Sequence, residues 1–359
     1  ARPLQGLDFN RNFPFEWKPE NEQAGAGPYP TSEVEIRATV DFITCHPNIN
    51  IAITYHTFSG VILRPFSTRP DDKMDVNDLW VYELMGERGK TLTGYKCVSV
   101  YHDFRYHPTE VTTGAFDDWV YDHLGIFAFT VELWDLPGRA GIEDRKFIEW
   151  FRKHPHEDDV KILRWLEANA PADALVGWYA YEHPQLGPVE LGGLNRMYTF
   201  RNPPHHLMGE EAEKNTPWAL ALADMLPRLS LHELAATPVG DGSYRLRLVV
   251  ENSGFLATNT SGQGQKRAAA RPVRVELALP DGASLVTGKA RTELGHLQGR
   301  SNKLSVLAHY GSSPTDNRAW TEWVVQGKPG DEIGVNVLSD RAGSVRTSIV
   351  LPANGPDGQ

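Results

Sequence analysis

The run Gly125-Ile126-Phe127-Ala128-Phe129-Thr130-Val131-Glu132-Leu133-Trp134 constrains this chain more than any other stretch. Its apolar character is continuous rather than alternating. That marks a strand buried on both faces, as in a parallel or mixed sheet covered by helices. One residue breaks the pattern. A carboxylate such as Glu132 is costly to bury without a partner, at several kcal/mol. Either it points into a cleft at the strand end or it pairs with a buried cation. A catalytic base follows only if other groups converge on it.

The elements needed to build such a sheet can be read around this run. Residues 50–55, with Ile51, Ile53 and Tyr55 alternating, predict a strand that ends on His56, and residues 60–63 predict a second. Helices are expected from Ser32, where Ser32 and Glu35 form a capping box ahead of Ala38, Phe42 and Ile43, and over 75–90, stopped by Gly94. Further helices are expected at 116–124, 144–153, 157–169 and 210–226, the last burying Ala212, Ala219, Leu220, Ala223 and Leu226. Past Pro227 the texture changes. Short strands at 228–235, 244–251, 273–279, 304–308, 319–325, 332–338 and 344–351 are separated by Gly, Pro, Asn and Asp, the pattern of a β-sandwich. With 359 residues, two domains are expected: an α/β domain over 1–228 and an all-β domain over 229–353, with a tail at 354–359.

Composition excludes several partners. A net charge of -10 argues against nucleic acid or an anionic membrane, and no apolar run is long enough to span a bilayer. Two cysteines, Cys45 and Cys97, rule out a disulfide framework and a cysteine zinc knuckle. Nothing at the start looks like a signal peptide. The compartment is left open, with the cytoplasm slightly favoured over secretion or the periplasm. The oligomeric state is left open.

Two further features carry chemistry. His56 closes a hydrophobic strand, where open α/β sheets place ligands; a hydrogen-bonded structural histidine is the alternative. Near the start, Leu7-Asp8-Phe9-Asn10-Arg11-Asn12 sets an amide beside a guanidinium. A guanidinium is shaped to take a carboxylate in two parallel hydrogen bonds, and the neighbouring amide adds a third. A surface arginine making an ordinary ion pair is the alternative.

Taken in order, Asn10-Arg11, Tyr55-His56-Thr57-Phe58-Ser59-Gly60 and Phe129-Thr130-Val131-Glu132-Leu133 resemble the zinc carboxypeptidases, the funnelins typified by carboxypeptidase A. Asp118-Trp119-x-Tyr121 resembles the helix ahead of that family's catalytic strand. Asn202-Pro203-Pro204 with Trp218-Ala219-Leu220 resembles its closing helix. The resemblance implies a mixed-sheet catalytic domain and one Zn2+ site with His56 as a ligand. It also implies Glu132 as general base and Asn10 with Arg11 holding the terminal carboxylate of a peptide with a free C-terminus.

It also implies departures. The family's remaining two zinc ligands form a His-x-x-Glu motif upstream of the Asn-Arg pair, so the catalytic domain is expected to lack its N-terminal part here. Arg2 does not replace an upstream arginine of the family. His107-Pro108-Thr109-Glu110 and His154-Pro155-His156-Glu157 follow His56, the wrong order for the motif. Tyr106 is the nearest candidate for the family's mobile tyrosine. Either Asp117 or Phe116 would line the pocket for the last side chain, favouring Lys or Arg in the first case and apolar residues in the second. The rival readings are an amide deacylase on the same fold and a metal-free binding protein on an inactive peptidase scaffold. The Val250-Glu251-Asn252-Ser253-Gly254-Phe255-Leu256 segment looks like part of a transthyretin-like or immunoglobulin-like module, to which fold alone gives no task.

Overall fold

The computed structural model describes residues 6–171, 174–301 and 315–353. The chain forms two units. One is built from Ala1–Ile36, Ala52–Trp119 and Ala128–Ala221, the other from Arg37–Ile51, Val120–Phe127 and Leu222–Gln359.

The sheet of the first unit has four strands, β1 (Ile51–Thr57), β2 (Val61–Arg64), β3 (Lys96–Ser99) and β4 (Phe127–Leu133), in the order β1-β4-β2-β3. β2 runs parallel to β3 and antiparallel to β4. Along β1 and β4, the Phe127 N–H meets Asn50 O at 3.1 Å, Thr54 meets Thr130 at 3.0 Å and His56 meets Glu132 at 3.7 Å. These pairs advance together, so β1 and β4 are parallel and the sheet is mixed. β4 is flanked on both sides, and Phe127, Ala128, Phe129 and Val131 are fully buried. Continuous apolar sequence and central position agree.

The helices up to residue 224 are α1 (Val34–Cys45), α2 (Val76–Thr93), α3 (Val100–Asp103), α4 (Phe116–Leu124), α5 (Leu136–Arg139), α6 (Phe147–Arg152), α7 (His156–Asn169) and α8 (Met208–Asp224); the division into units cuts α1, α4 and α8. A hairpin of β5 (Leu175–His183) and β6 (Gly187–Leu194), absent from the sequence expectations, precedes α8. α2 starts on the Asp75 carboxylate and ends on Gly94 at φ 77°, the left-handed cap expected of that glycine.

Two helices differ from expectation. At α1 the Ser32–Glu35 box does not form: the Asn12 amide donates to Ser32 Oγ at 3.0 Å, and Asn12 Oδ1 accepts the Glu33 N–H at 3.2 Å. The helix begins at Val34 and buries Ile36 and Ile43, leaving Ala38 and Phe42 exposed. On α8 the buried stripe is Glu211, Asn215, Trp218 and Leu222, while Leu220 is 64% exposed. Trp218 sets that rotation, with its Nε1–H on Met85 O at 3.0 Å and its ring edge-on to Phe129. Burying the largest apolar side chain outweighs burying alanines.

The second unit carries β7 (Leu229–Gly240), β8 (Ser243–Asn252), a short helix α9 (Gly262–Lys266), β9 (Val273–Ala278), β10 (Ser284–Thr287), β11 (Arg291–Gly295), β12 (Arg318–Gln326), β13 (Glu332–Ser339) and β14 (Gly343–Val350). Two antiparallel sheets result, β10-β12-β8-β7 and β11-β9-β13-β14. Leu246, Leu248 and Val250 of β8 share one core with Val273 and Val275 of β9 and Val335 and Val337 of β13. The alternation visible in the sequence is the period of strands with one buried face. The strand expected at 304–308 lies outside the described residues.

Candidate functional site

At the end of β4 the Glu132 side chain is buried, with Oε1 3.7 Å from His56 Nδ1. Its other oxygen, Oε2, is buried with no hydrogen-bond partner among the described residues. A buried carboxylate oxygen left unpaired is costly, and this one is free to take a donor from the cleft. The carboxylate beside His56 raises the imidazole pKa, against the opposing effect of burial.

The turn after His56 is fastened to the end of β4. Ser59 N–H donates to Trp134 O at 3.0 Å and Gly60 N–H to Glu132 O at 2.9 Å. Gly60 sits at φ 64°, where an added Cβ would lie 2.5 Å from Asp135 Cβ, so the turn requires glycine. Both chemically distinctive residues therefore hang on one hydrogen-bonded frame.

The opening motif reaches the same place. Asp8 caps the short turn Phe9–Arg11, accepting the Asn10 N–H at 2.9 Å, and stands 3.4 Å from Arg11 Nη2. Arg11 Nη1 donates to Asn10 O at 2.7 Å. Asn10 Oδ1 accepts the N–H of Phe116, the first residue of α4, at 2.7 Å. With its oxygen committed, the amide offers two N–H donors. Gly114, at φ 67°, lies so close to Arg11 that a Cβ would come 2.2 Å from Arg11 O, which fixes the loop before α4 against the motif.

Asp117 is 2% exposed and lines the cleft; its Oδ1 accepts the Asp118 N–H at 3.1 Å, Thr130 hydrogen-bonds to it, and burial raises its pKa. Phe116 turns the other way, buried against Phe13 at 5.2 Å and Trp119 at 6.2 Å. The neighbouring Asp118 receives the Ser67 N–H on both oxygens, at 2.9 and 3.0 Å, and burial drives its pKa well up. Tyr106 lines the cleft with half its side chain exposed; desolvation raises its pKa and its hydroxyl hydrogen-bonds to Arg11.

A cleft of about 570 Å³ thus collects Asn10, Arg11, His56, Tyr106, Asp117 and Glu132. Phe116 is the one sequence candidate that stands apart from it. Among the further lining residues are Asp8 and Thr130, which stand in the quoted motifs but were given no role, and Arg201. Asp8 could have been found as an Asx turn two residues before Asn10. Arg201, far along the chain and outside any motif, gives no sequence signal.

Neither His-x-x-Glu string joins the cleft. His107 faces Glu110 at 3.9 Å on the surface, and His154 is engaged by Trp150 O and Asp159. Among the described residues no group of three or more His, Cys, Asp or Glu side chains is placed to hold a metal ion. His56 is one imidazole donor, and the described residues do not complete a zinc site around it.

Residues 1–148 match the family model described as zinc carboxypeptidase, and residues 228–350 match one described as a domain of unknown function (DUF8731). Carboxypeptidase A2 of Rattus norvegicus is 30% identical over 144 residues, covering 36% of this chain and 32% of that protein. Carboxypeptidase B2 of Rattus norvegicus is 32% identical over 146 residues, covering 38% and 34%. The chain spans about a third of the length of the curated relatives it matches. Among solved structures, thrombin activatable fibrinolysis inhibitor aligns at 26% identity with a TM-score of 0.31, over 47% of this chain and 46% of that one. A carboxypeptidase A from Helicoverpa armigera aligns at 21% identity with a TM-score of 0.30, over 46% and 43%. Over its first 148 residues this chain is thus similar to a part of the zinc carboxypeptidases.

Proposed function

We propose that the cleft serves a metallocarboxypeptidase that removes a C-terminal Lys or Arg from peptides. The observation that carries this reading is the meeting of Arg11, Asn10 and Tyr106 with Glu132 in one cleft that has a buried aspartate in its wall. Arg11, aligned by Asp8, takes the terminal carboxylate in paired hydrogen bonds, and Asn10 adds an N–H. An internal peptide bond offers no anion there, so the enzyme acts at chain ends. Asp117 receives the terminal ammonium or guanidinium. The incoming cation favours its ionised form, countering the burial that raises its pKa in the free protein.

Glu132 accepts a proton from the attacking water and delivers it to the leaving amine. Its unpartnered Oε2 is the atom suited to that water. His56 would be this chain's donor to Zn2+. Bound there, the metal would polarise the scissile carbonyl and lower the pKa of the attacking water. The second unit is read as a β-sandwich packed on its own core, with no catalytic group assigned to it.

The test is hydrolysis of benzoyl-Gly-Lys by the full-length protein in the presence of zinc. Glu132→Gln should lower kcat by roughly 10²- to 10⁴-fold and leave peptide affinity unchanged. A variant that turns over at the parent rate removes Glu132 from the role of base.

A further inference from the structure

Arg201 lies in the wall of the same cleft as His56 and Glu132, with its guanidinium 5.6 Å from the centre of the Phe58 ring. Phe58 stands two residues beyond His56. The other positive groups of the cleft already face carboxylates: Arg11 stands 3.4 Å from Asp8, and His56 stands 3.7 Å from Glu132. Arg201 has no carboxylate within ion-pair distance among the described residues, and its side chain is open to solvent.

Its base is nevertheless held firmly. The Arg201 N–H donates to Arg196 O at 2.8 Å, and Asn202 Nδ2 donates to Met197 O at 3.0 Å. Phe200 packs on Phe58 at 4.4 Å and on Phe151 at 5.9 Å. A cation fixed over an aromatic face, without a counter-ion, in a substrate cleft is suited to receive an anionic group.

Elimination identifies that group, on the reading of the cleft given above. The terminal carboxylate takes Arg11 and Asn10, and the terminal side chain takes Asp117. An anion for Arg201 must then come from the part of the peptide on the acyl side of the scissile bond. We propose that Arg201 is a specificity-determining residue that binds the carboxylate of an Asp or Glu immediately preceding the cleaved residue. Preferred peptides then end in an acidic residue followed by a basic one. Because the guanidinium is exposed, the preference is modest, about three- to tenfold over the neutral amide.

Calorimetric titration of the full chain with benzoyl-Glu-Lys, benzoyl-Gln-Lys and the C-terminal amide of each tests both layers. The free acids should bind at least about tenfold more tightly than the amides. The Glu peptide should bind about three- to tenfold more tightly than the Gln peptide. Arg201→Ala should erase the Glu-over-Gln ratio and keep the acid-over-amide ratio, and Arg201→Lys should restore most of the former. Equal binding of acids and amides overturns the carboxypeptidase reading and this assignment with it. If acids exceed amides but Glu and Gln bind alike, or if the Glu preference survives Arg201→Ala, only the assignment of Arg201 falls. Loss of the acid-over-amide ratio in Arg201→Ala would move Arg201 into the terminal clamp and overturn the assignment too.

Discussion

Asp117 carries a cost to stability and, in the proposed function, a task in binding. It is 2% exposed and burial raises its pKa, so the folded protein resists its ionisation more than the unfolded chain does. A carboxyl with a raised folded-state pKa contributes its full stability below the ordinary carboxylate range and loses it as pH rises through the raised value. Asp117→Asn does not titrate there. The variant should match the parent near pH 3 and exceed it by about 1 kcal/mol at pH 7, while losing its preference for terminal Lys over Leu. Urea melts at the two pH values check this; an equal stability gap at both would remove burial as the cause. At this scale the sequence was informative where a residue type clashed with its surroundings. Glu132 in an apolar run, His56 at a strand end and Arg11 beside an amide were all legible, and the structure brings them together. The choice between Phe116 and Asp117 was not, since one residue on a helix is a turn of roughly 100° and no motif fixes that phase.

Among the elements, β4 could be read almost to the residue because a strand flanked on both sides leaves no polar face to blur the pattern. α8 shows the opposite case. Five apolar positions suggested one face, yet the helix turned to bury Trp218 and to place Glu211 against Tyr95 and Lys214. Trp218 is fully buried, its indole N–H on Met85 O and its ring beside Gly89. Trp218→Ala should cost about 3–5 kcal/mol, whereas Leu220→Ala on the exposed face should fall within ~0.5 kcal/mol of the parent. Urea midpoints with unchanged slopes would measure both; comparable losses at the two positions would contradict the observed rotation. The hairpin of β5 and β6 escaped the sequence reading because its turn carries no two-residue Asn-Gly or Asp-Gly signal.

Across the whole molecule, composition along the chain marked the change of texture near residue 227 but could not show that the second unit draws in Arg37–Ile51 and Val120–Phe127. Those segments are held by side chains from far down the sequence. Asn50 Nδ2 donates to Arg341 O at 3.0 Å and its oxygen accepts from the Thr260 hydroxyl. Gly125 O accepts from Ser261 Oγ at 2.7 Å, and Leu124 O from Arg341 Nη2 at 2.6 Å. A chain stopped at residue 227 would leave these buried groups without partners, and each such loss costs about 1–3 kcal/mol. Such a chain should lose the cooperative thermal transition of the parent, followed by circular dichroism. A shortened chain that melts cooperatively at the parent temperature would show that the later strands are dispensable. Contacts of this kind, more than 130 residues apart, leave no local pattern to read.

The hydrogen bond from the Phe116 N–H to Asn10 Oδ1 joins the opening motif to the first turn of α4, which carries Asp117. In the proposed function, anchoring and discrimination therefore share one mechanical joint. Substitutions at positions 10 and 117 should be epistatic: a double variant departs from the product of its single effects. A library that varies the two sites separately would miss its best combinations.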